Sequence, residues 1–266
     1  MKGVSESMAG RAAIMQLLPF SLAETHRASL LHGGYPEVLA RPAGRRLWFS
    51  SYIQTYLERD VRAVTNVRDL ATFRRFLALL ASRHGQILNK TDLAAPLGVS
   101  VPTIADWLHV LEITGQATLV PPYFENFGKR LIKSPKVYLR DSGIVHALLD
   151  IANKEALLGH PVVGASWEGF VIETLLRCAP DQVQEYFYRT SGGAEIDLLL
   201  VWPGGKSWAI EVKRSLSPTV GRGFHSGCAD LHPTRKLVVY PGNERLHVTA
   251  DIDALPLSSL ARELAE

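Results

Sequence analysis

The sequence has only two cysteines among its 266 residues. Cys178 and Cys228 form neither a Cys-x-x-Cys pair nor a spacing typical of a zinc site. A disulfide framework and a structural zinc site are therefore not predicted. We expect both side chains to be reduced thiols.

Long hydrophobic runs are also missing. No apolar stretch approaches the roughly 18 residues needed to cross a bilayer, and the N-terminal residues lack the apolar core of a signal peptide. These absences argue against a membrane partner and predict a cytoplasmic location. A composition of 47% hydrophobic and 21% charged residues is typical of globular domains, and the length allows two or three of them.

A nucleotide-binding loop is a third absence. Gly205-Lys206-Ser207 resembles the end of such a loop, but Leu200 stands where the first glycine is required. The tripeptide also lies in a predicted hairpin turn, whereas a phosphate-binding loop precedes a helix. No ATP site is therefore predicted in this chain.

Charge is unevenly distributed between the two halves. Residues 1–154 contain 19 Lys/Arg and 12 Asp/Glu, while residues 155–266 contain 10 and 14. The basic half is compatible with nucleic-acid contacts. The acidic half disfavours them unless a bound metal ion offsets its charge.

The first part of the chain shows helical spacing of apolar residues. This spacing predicts helices over residues 22–32, 46–66 and 69–83. We assign residues 1–68 to a helical segment. From residue 69 onward a second pattern begins.

A helix-turn-helix pattern follows over residues 89–115. Ala94 allows close helix crossing, Gly98 permits a left-handed turn, and Ile104 fills the angle between the helices. Apolar stretches near residues 119–121 and 136–139 supply two strands. Together they predict a winged helix, and with a connecting helix we assign residues 69–158 to this domain.

The candidate recognition helix, residues 101–114, contains no lysine or arginine. Base recognition without a cation is uncommon, which favours packing or protein interaction as the role of this domain. Phosphate contacts without sequence preference remain an alternative. The candidates for them are Lys129, Arg130, Lys133 and Lys136 in the wing, and Arg189.

Residues 159–266 have the element order αβββαβ, which predicts a mixed sheet and makes the whole chain an α+β protein. The predicted elements are a helix (165–178), three strands (185–189, 195–201 and 208–213), a helix (224–230) and a strand (236–240).

Charged residues interrupt two of these strands. Side chains at positions i and i+2 of a strand share a face, so Glu211 and Lys213 point the same way. A short turn makes the strands hairpin neighbours and brings Asp197 beside Glu211. Because Glu-x-Lys is common in strands, an exposed ion pair with no further role is the alternative.

These residues carry a resemblance to the PD-(D/E)XK nuclease superfamily. Asp197 and Glu211-Val212-Lys213 match its motif, and Glu168 corresponds to its accessory acid. The resemblance implies a restriction-endonuclease-like fold and Mg²⁺ held by Asp197, Glu211 and the carbonyl of Val212. Lys213 would act on the attacking water or the phosphate, and Glu168 would assist.

The whole chain also resembles the domain of unknown function 4143 family, which follows the ATPase module in prokaryotic AAA-type ATPases. The matching segments are Gly33-Gly34-Tyr35-Pro36, residues 56–61, residues 136–143 and residues 193–197. The ATPase module itself is absent from this sequence. The resemblance implies a metal-dependent nuclease associated with an ATPase module or another protein. A noncatalytic interaction module on the same scaffold is the alternative.

Overall fold

The computed structural model describes residues 11, 13, 17–56, 69–124 and 132–266. Within these residues the chain is a mixed α+β protein with ten α-helices, a two-stranded sheet and a six-stranded mixed sheet. None of the helices in these ranges is long and apolar enough to cross a membrane.

The N-terminal segment is built differently from the prediction. Residues 22–32 form turns and an isolated bridge, so the predicted helix is wrong. The Glu24 carboxylate accepts hydrogen bonds from the backbone N–H and the hydroxyl of Ser21. Such side-chain bonds offer the backbone an alternative to helical hydrogen bonding. Three short elements follow, α1 (Pro36–Ala40), a 3-10 helix (Pro42–Gly44) and α2 (Arg45–Thr55).

The predicted helix over residues 46–66 is confirmed as far as Thr55. Its remainder lies largely in residues 57–68, outside the described ranges. The wing residues Lys129 and Arg130 also lie outside them.

The next part of the chain is called here the helical region (residues 70–148). Its described residues form four helices and two strands. They are α3 (Leu70–Ser82), α4 (Lys90–Leu97), α5 (Val101–Ile113), β1 (Ala117–Val120) and β2 (Lys136–Leu139), followed by α6 (Ser142–Leu148). Polar side chains start its helices, because Asp69, Asn89, Ser100 and Asp141 each accept a bond from a backbone N–H in the first turn.

The helix-turn-helix features are present in this region. Gly98 ends α4 with a φ of 66°, in the left-handed range. Ala94 and Ile104 are buried in a core built from α3, α4 and α5. Trp107 packs against two phenylalanines of α3. β1 and β2 pair antiparallel.

The last part, called here the sheet region (residues 163–265), follows the short helix α7 (Lys154–Gly159). Its elements are α8 (Val163–Cys178), β3 (Gln184–Arg189), β4 (Glu195–Val201), β5 (Ser207–Val212), α9 (Arg222–Leu231), β6 (Arg235–Tyr240), β7 (Leu246–Thr249), β8 (Ile252–Pro256) and α10 (Leu257–Ala265). The order αβββαβ is therefore present from α8 to β6. The sequence made no prediction for the final three elements.

The strand order of the large sheet is β3-β4-β5-β6-β8-β7. The pairs β3–β4 and β4–β5 are antiparallel, whereas β6 is parallel to both β5 and β8. Side chains alternate between the two faces of the sheet. Leu198 and Ile210 pack with α8 and α10, while Leu199 and Ala209 pack with α9.

The two regions meet along one border. The chain after β1 runs beside β3, where the N–H of Tyr123 donates to the carbonyl of Phe187 at 2.7 Å. On the same border, Nδ1 of His84 accepts from the N–H of Leu139 at 3.1 Å, and the His84 ring lies against Gly169 of α8. β2 therefore packs on the helical region with one face and on α8 with the other.

Candidate active site

Adjacent strands bring Asp197 and Glu211 together. β4 and β5 pair with Leu198 opposite Ile210 and Leu199 opposite Ala209. Continuing this register by one residue places Asp197 opposite Glu211. In agreement, Oδ2 of Asp197 accepts a hydrogen bond from the N–H of Val212 at 2.9 Å. The hairpin contact expected from the short turn is thus observed.

Lys213 lies just beyond the end of β5 and is fixed by its backbone. Its N–H donates to the carbonyl of Val239 at 2.9 Å, and its carbonyl accepts from the indole N–H of Trp167 at 3.0 Å. Its ammonium Nζ lies 2.5 Å from Oε1 of Glu211. Lys213 and Glu211 therefore form the ion pair that the Glu-x-Lys spacing suggested.

Glu168 reaches the same place from α8. Its Oε1 accepts a hydrogen bond from the Tyr138 hydroxyl at 2.6 Å and from Nζ of Lys136 at 3.0 Å. The same Lys136 Nζ is 3.5 Å from Oδ1 of Asp197. All four side chains predicted as catalytic, Glu168, Asp197, Glu211 and Lys213, therefore belong to one cluster.

The structure adds members that the sequence analysis did not place in the site. Glu195 precedes Asp197 by two residues and lies 3.8 Å from Nζ of Lys136. Lys136 and Tyr138 come together from β2 of the helical region. The spacing i, i+2 within each strand was the available signal, since Glu195 shares a strand face with Asp197 and Lys136 shares one with Tyr138.

The electrostatics of the cluster reflect an excess of negative charge. Four carboxylates, those of Glu168, Glu195, Asp197 and Glu211, are paired with two lysines and, at the edge of the cluster, with Arg189. Burial and the charge of Asp197 raise the pKa of Glu211 to about 7, although the Lys213 hydrogen bond opposes this. Burial and Asp197 likewise raise the pKa of Glu168.

Both lysines of the cluster keep their protons at neutral pH. Burial lowers the pKa of Lys136, but the charges of Glu168 and Asp197 outweigh it and raise the pKa overall. The pKa of Lys213 is also raised, because its hydrogen bond with Glu211 outweighs burial. A protonated lysine donates hydrogen bonds and stabilises negative charge, but it cannot accept a proton from water.

The residues predicted to contact phosphates differ in their exposure to solvent. Lys136 is 3% exposed and faces the carboxylates. Lys133 and Arg189 are exposed, and the N–H of Ile132 donates to the carbonyl of Arg189, which places both at one edge of the cluster. Arg189 also lies 3.4 Å from Glu195. On α5 the exposed polar residues are Asp106, His109 and Glu112, with no cation.

The donor atoms of the cluster suit a hard cation. Carboxylate and carbonyl oxygens are the ligands that Mg²⁺ prefers, and this ion is often held by only one or two carboxylates. Asp197 and Glu211 meet that requirement. Within the described residues there is no group of three or more His, Cys, Asp or Glu side chains arranged to hold a metal.

Two family models match this chain. Residues 23–155 match a domain of unknown function (DUF8612), and residues 163–260 match a second domain of unknown function (DUF4143). The first match spans half of the chain. The chain belongs to the DUF8612 family. The DUF4143 match covers nearly the whole sheet region, and the cluster draws residues from both matched segments.

Two curated relatives extend the comparison. Uncharacterized protein Rv2008c of Mycobacterium tuberculosis and uncharacterized protein Mb2031c of Mycobacterium bovis are each 35% identical to this chain over 263 residues. The alignment covers 96% of this chain and 59% of each relative. The chain thus spans about three fifths of the length of these relatives. No solved structure matches it.

Proposed function

We propose that the cluster is the active site of a metal-dependent phosphodiesterase that acts on nucleic acid. The observation that carries this proposal is the meeting of Asp197 and Glu211 at neighbouring strands, with Lys213 bonded to Glu211. Glu168 completes the set from α8. This combination is the one that the resemblance to PD-(D/E)XK nucleases implies, together with a nuclease-like fold for the sheet region.

Charge supports a divalent ion at this place. With all groups ionised, the four carboxylates, the two lysines and Arg189 carry a net charge of −1. In a partly buried cluster such an excess is unfavourable, and a divalent cation would offset it. Asp197, Glu211 and the carbonyl of Val212 would hold the ion. Bound Mg²⁺ would supply a Lewis acid for the phosphate and an acidified water.

The protein's own groups have distinct roles in this proposal. Lys213 is a protonated donor beside Glu211, so it orients the attacking water or offsets charge on the phosphate. Lys133 and Arg189 at the edge of the cluster contact the nucleic-acid backbone through charge, without reading the base sequence. The winged helix serves for packing and interaction, because α5 lacks base-reading cations.

The associated ATPase is a further part of the proposal. The motif order along the chain supports a place after an AAA-type ATPase module, and the curated relatives are long enough to contain an additional module. Co-purification of this chain with a separately expressed AAA-type module from the same genome tests the association. No retention of the module by the immobilised chain would contradict it.

A noncatalytic interaction module is the second candidate function. The observation that favours it is Lys136, whose ammonium already neutralises part of the carboxylate charge from within the protein. In that case the cluster joins the two regions, and the surface binds a protein partner.

A cleavage assay separates the two candidates. Purified protein with Mg²⁺ or Mn²⁺ is incubated with supercoiled, linear and single-stranded DNA and with RNA. We expect cleavage that Asp197→Asn and Lys213→Ala each abolish. The matched controls are Asp251→Asn and Lys236→Ala, since these two residues form an exposed ion pair at 2.5 Å on the same sheet. The controls should retain activity.

The negative outcomes are also informative. Activity that survives both Asp197→Asn and Lys213→Ala would contradict the site assignment. Absence of cleavage on every substrate, together with no Mn²⁺ binding by calorimetry, would support the noncatalytic module instead.

A further inference from the structure

Lys136 is a buried cation that comes from outside the sheet region. It is the first residue of β2, where Val137 and Leu139 pack into the core of the helical region while Lys136 and Tyr138 point toward α8. The side chain is 4% exposed. A lysine this buried normally needs paired negative charge.

Three carboxylates surround its ammonium group. Nζ lies 3.0 Å from Glu168, 3.5 Å from Asp197 and 3.8 Å from Glu195, with the ring of Phe187 5.6 Å away. The contacts come from one helix and one strand of the sheet region. The ammonium group therefore occupies the position between three carboxylates to which a metal ion would also be attracted.

The effect of Lys136 on a metal ion depends on its contact with Oδ1 of Asp197. Oδ2 of Asp197 accepts the N–H of Val212, whereas Oδ1 is the oxygen that faces Lys136. A divalent ion on Oδ1 would lie close to the ammonium group. Because like charges at such distances repel strongly inside a protein, the two cations cannot both occupy this position.

We propose that Lys136 is the built-in counter-ion of the carboxylate cluster and competes with a divalent metal for Asp197. It thereby sets the metal affinity of the site from the helical region, as a positioning residue. This inference rests on the proposed function, because it concerns the same site. When no metal is bound, Lys136 holds the three carboxylates together; when metal binds, Lys136 withdraws from Asp197.

Calorimetric titration of the full chain with Mn²⁺, combined with thermal unfolding, tests the inference. Lys136→Met leaves an unbranched side chain that is one atom shorter and removes the charge, so the net charge of the cluster becomes more negative by one. We expect a lower Tm without metal, an Mn²⁺ affinity at least tenfold higher than that of the native chain, and a larger Tm increase on adding Mn²⁺. Lys136→Arg restores the charge and should return the affinity to near the native value.

Two further variants serve as a control and as a substitute for Lys136→Met. Lys236→Met removes a lysine from the exposed pair with Asp251 on the same sheet and should leave Mn²⁺ binding at the native level. Lys136→Gln keeps a hydrogen-bond donor for Glu168, and it provides the same measurement if Lys136→Met does not fold without metal.

The outcomes distinguish this inference from the proposed function. Native protein that binds Mn²⁺, with equal or weaker binding in Lys136→Met and Lys136→Gln, would overturn the role of Lys136 and leave the metal site standing. No Mn²⁺ binding by the native chain or by either variant would overturn both. A loss of Tm that Mn²⁺ does not reverse would show that Lys136 only stabilises the fold.

Discussion

The helical region and the border with the sheet region bury different kinds of side chain. The core of α3, α4 and α5 consists of apolar residues such as Phe76, Ile104 and Leu108. At the border, by contrast, Lys136, Glu173 and His146 are almost fully buried. Apolar burial stabilises a fold directly, whereas buried charges are costly unless they are paired. The helical core therefore stabilises the fold through apolar burial, whereas the border depends on the pairing of buried polar and charged groups.

The largest effect is expected in the apolar core. Phe76→Ala removes a ring that is completely buried between Phe73 and Trp107. We expect a loss of about 4 kcal/mol in the free energy of unfolding, measured by urea denaturation. Phe76→Leu is the control and should lose much less. A loss below about 1 kcal/mol for Phe76→Ala would show that this core is not the main source of stability.

The next largest effect is expected where α8 meets His84. A Cβ atom on Gly169 would overlap Nε2 of the buried His84 ring, so the ring would have to move. Gly169→Ala should therefore cost about 3 kcal/mol through forced displacement of the ring. Gly164 of the same helix has nothing within 4 Å of a Cβ, so Gly164→Ala should be neutral or stabilising. Equal denaturation midpoints for the two variants would contradict close packing at the border.

A pH effect of intermediate size is expected from His146. Its Nε2 lies 2.8 Å from the Ser166 hydroxyl of α8, and burial is the main cause that lowers its pKa to about 4. The unfolded chain takes up this proton near pH 6.5. The stability contribution is therefore complete above pH 6.5 and is lost between pH 6.5 and 4.

Measured from pH 7 to pH 5, that loss should be about 2 kcal/mol. Because other groups titrate in the same range, the measurement is the difference between the native chain and His146→Gln. The exposed His109 of α5 provides the control, and His109→Gln should follow the native pH profile. If the stability of His146→Gln depended on pH in the same way as that of the native chain, His146 would not be held neutral at the border.

The smallest effect is expected from a charge pair at the surface. Arg46 and Asp150 are 2.8 Å apart, but their side chains are 68% and 85% exposed. Water and salt screen such pairs, so Arg46→Met should change stability by less than about 0.5 kcal/mol. A loss as large as that of Lys136→Met under the same conditions would remove the distinction between buried and surface charges.

Much of the sheet region follows from local sequence signals. An apolar run interrupted by Asp197 predicted β4 over residues 195–201, and the structure has these bounds. Strand periodicity and a short turn placed Asp197 beside Glu211. The helix expected over residues 22–32 was wrong, because side-chain hydrogen bonds such as those between Ser21 and Glu24 compete with helix formation. Spacing alone does not reveal that competition.

Local sequence signals did not predict the last three elements of the sheet region or all the residues of the site. β7 is half exposed and lies at an edge of the sheet, so its apolar signal is weak. Only the resemblance to a nuclease family points to Glu168, since nothing in the spacing of α8 marks it. The position of Lys136 in the wing predicts a phosphate contact, whereas the structure surrounds it with carboxylates.

Strand periodicity and turn chemistry are local properties, so the amino-acid order predicts which side chains share a strand face and that β4 and β5 are hairpin neighbours. The contact between Lys136 and Glu168, 32 positions apart, is formed only in the tertiary structure. That contact depends on β2 packing beside α8, and the placement of β2 depends on the apolar core behind it. Long-range packing of this kind has no local signature, which is why the central cation of the cluster became visible only in the folded chain.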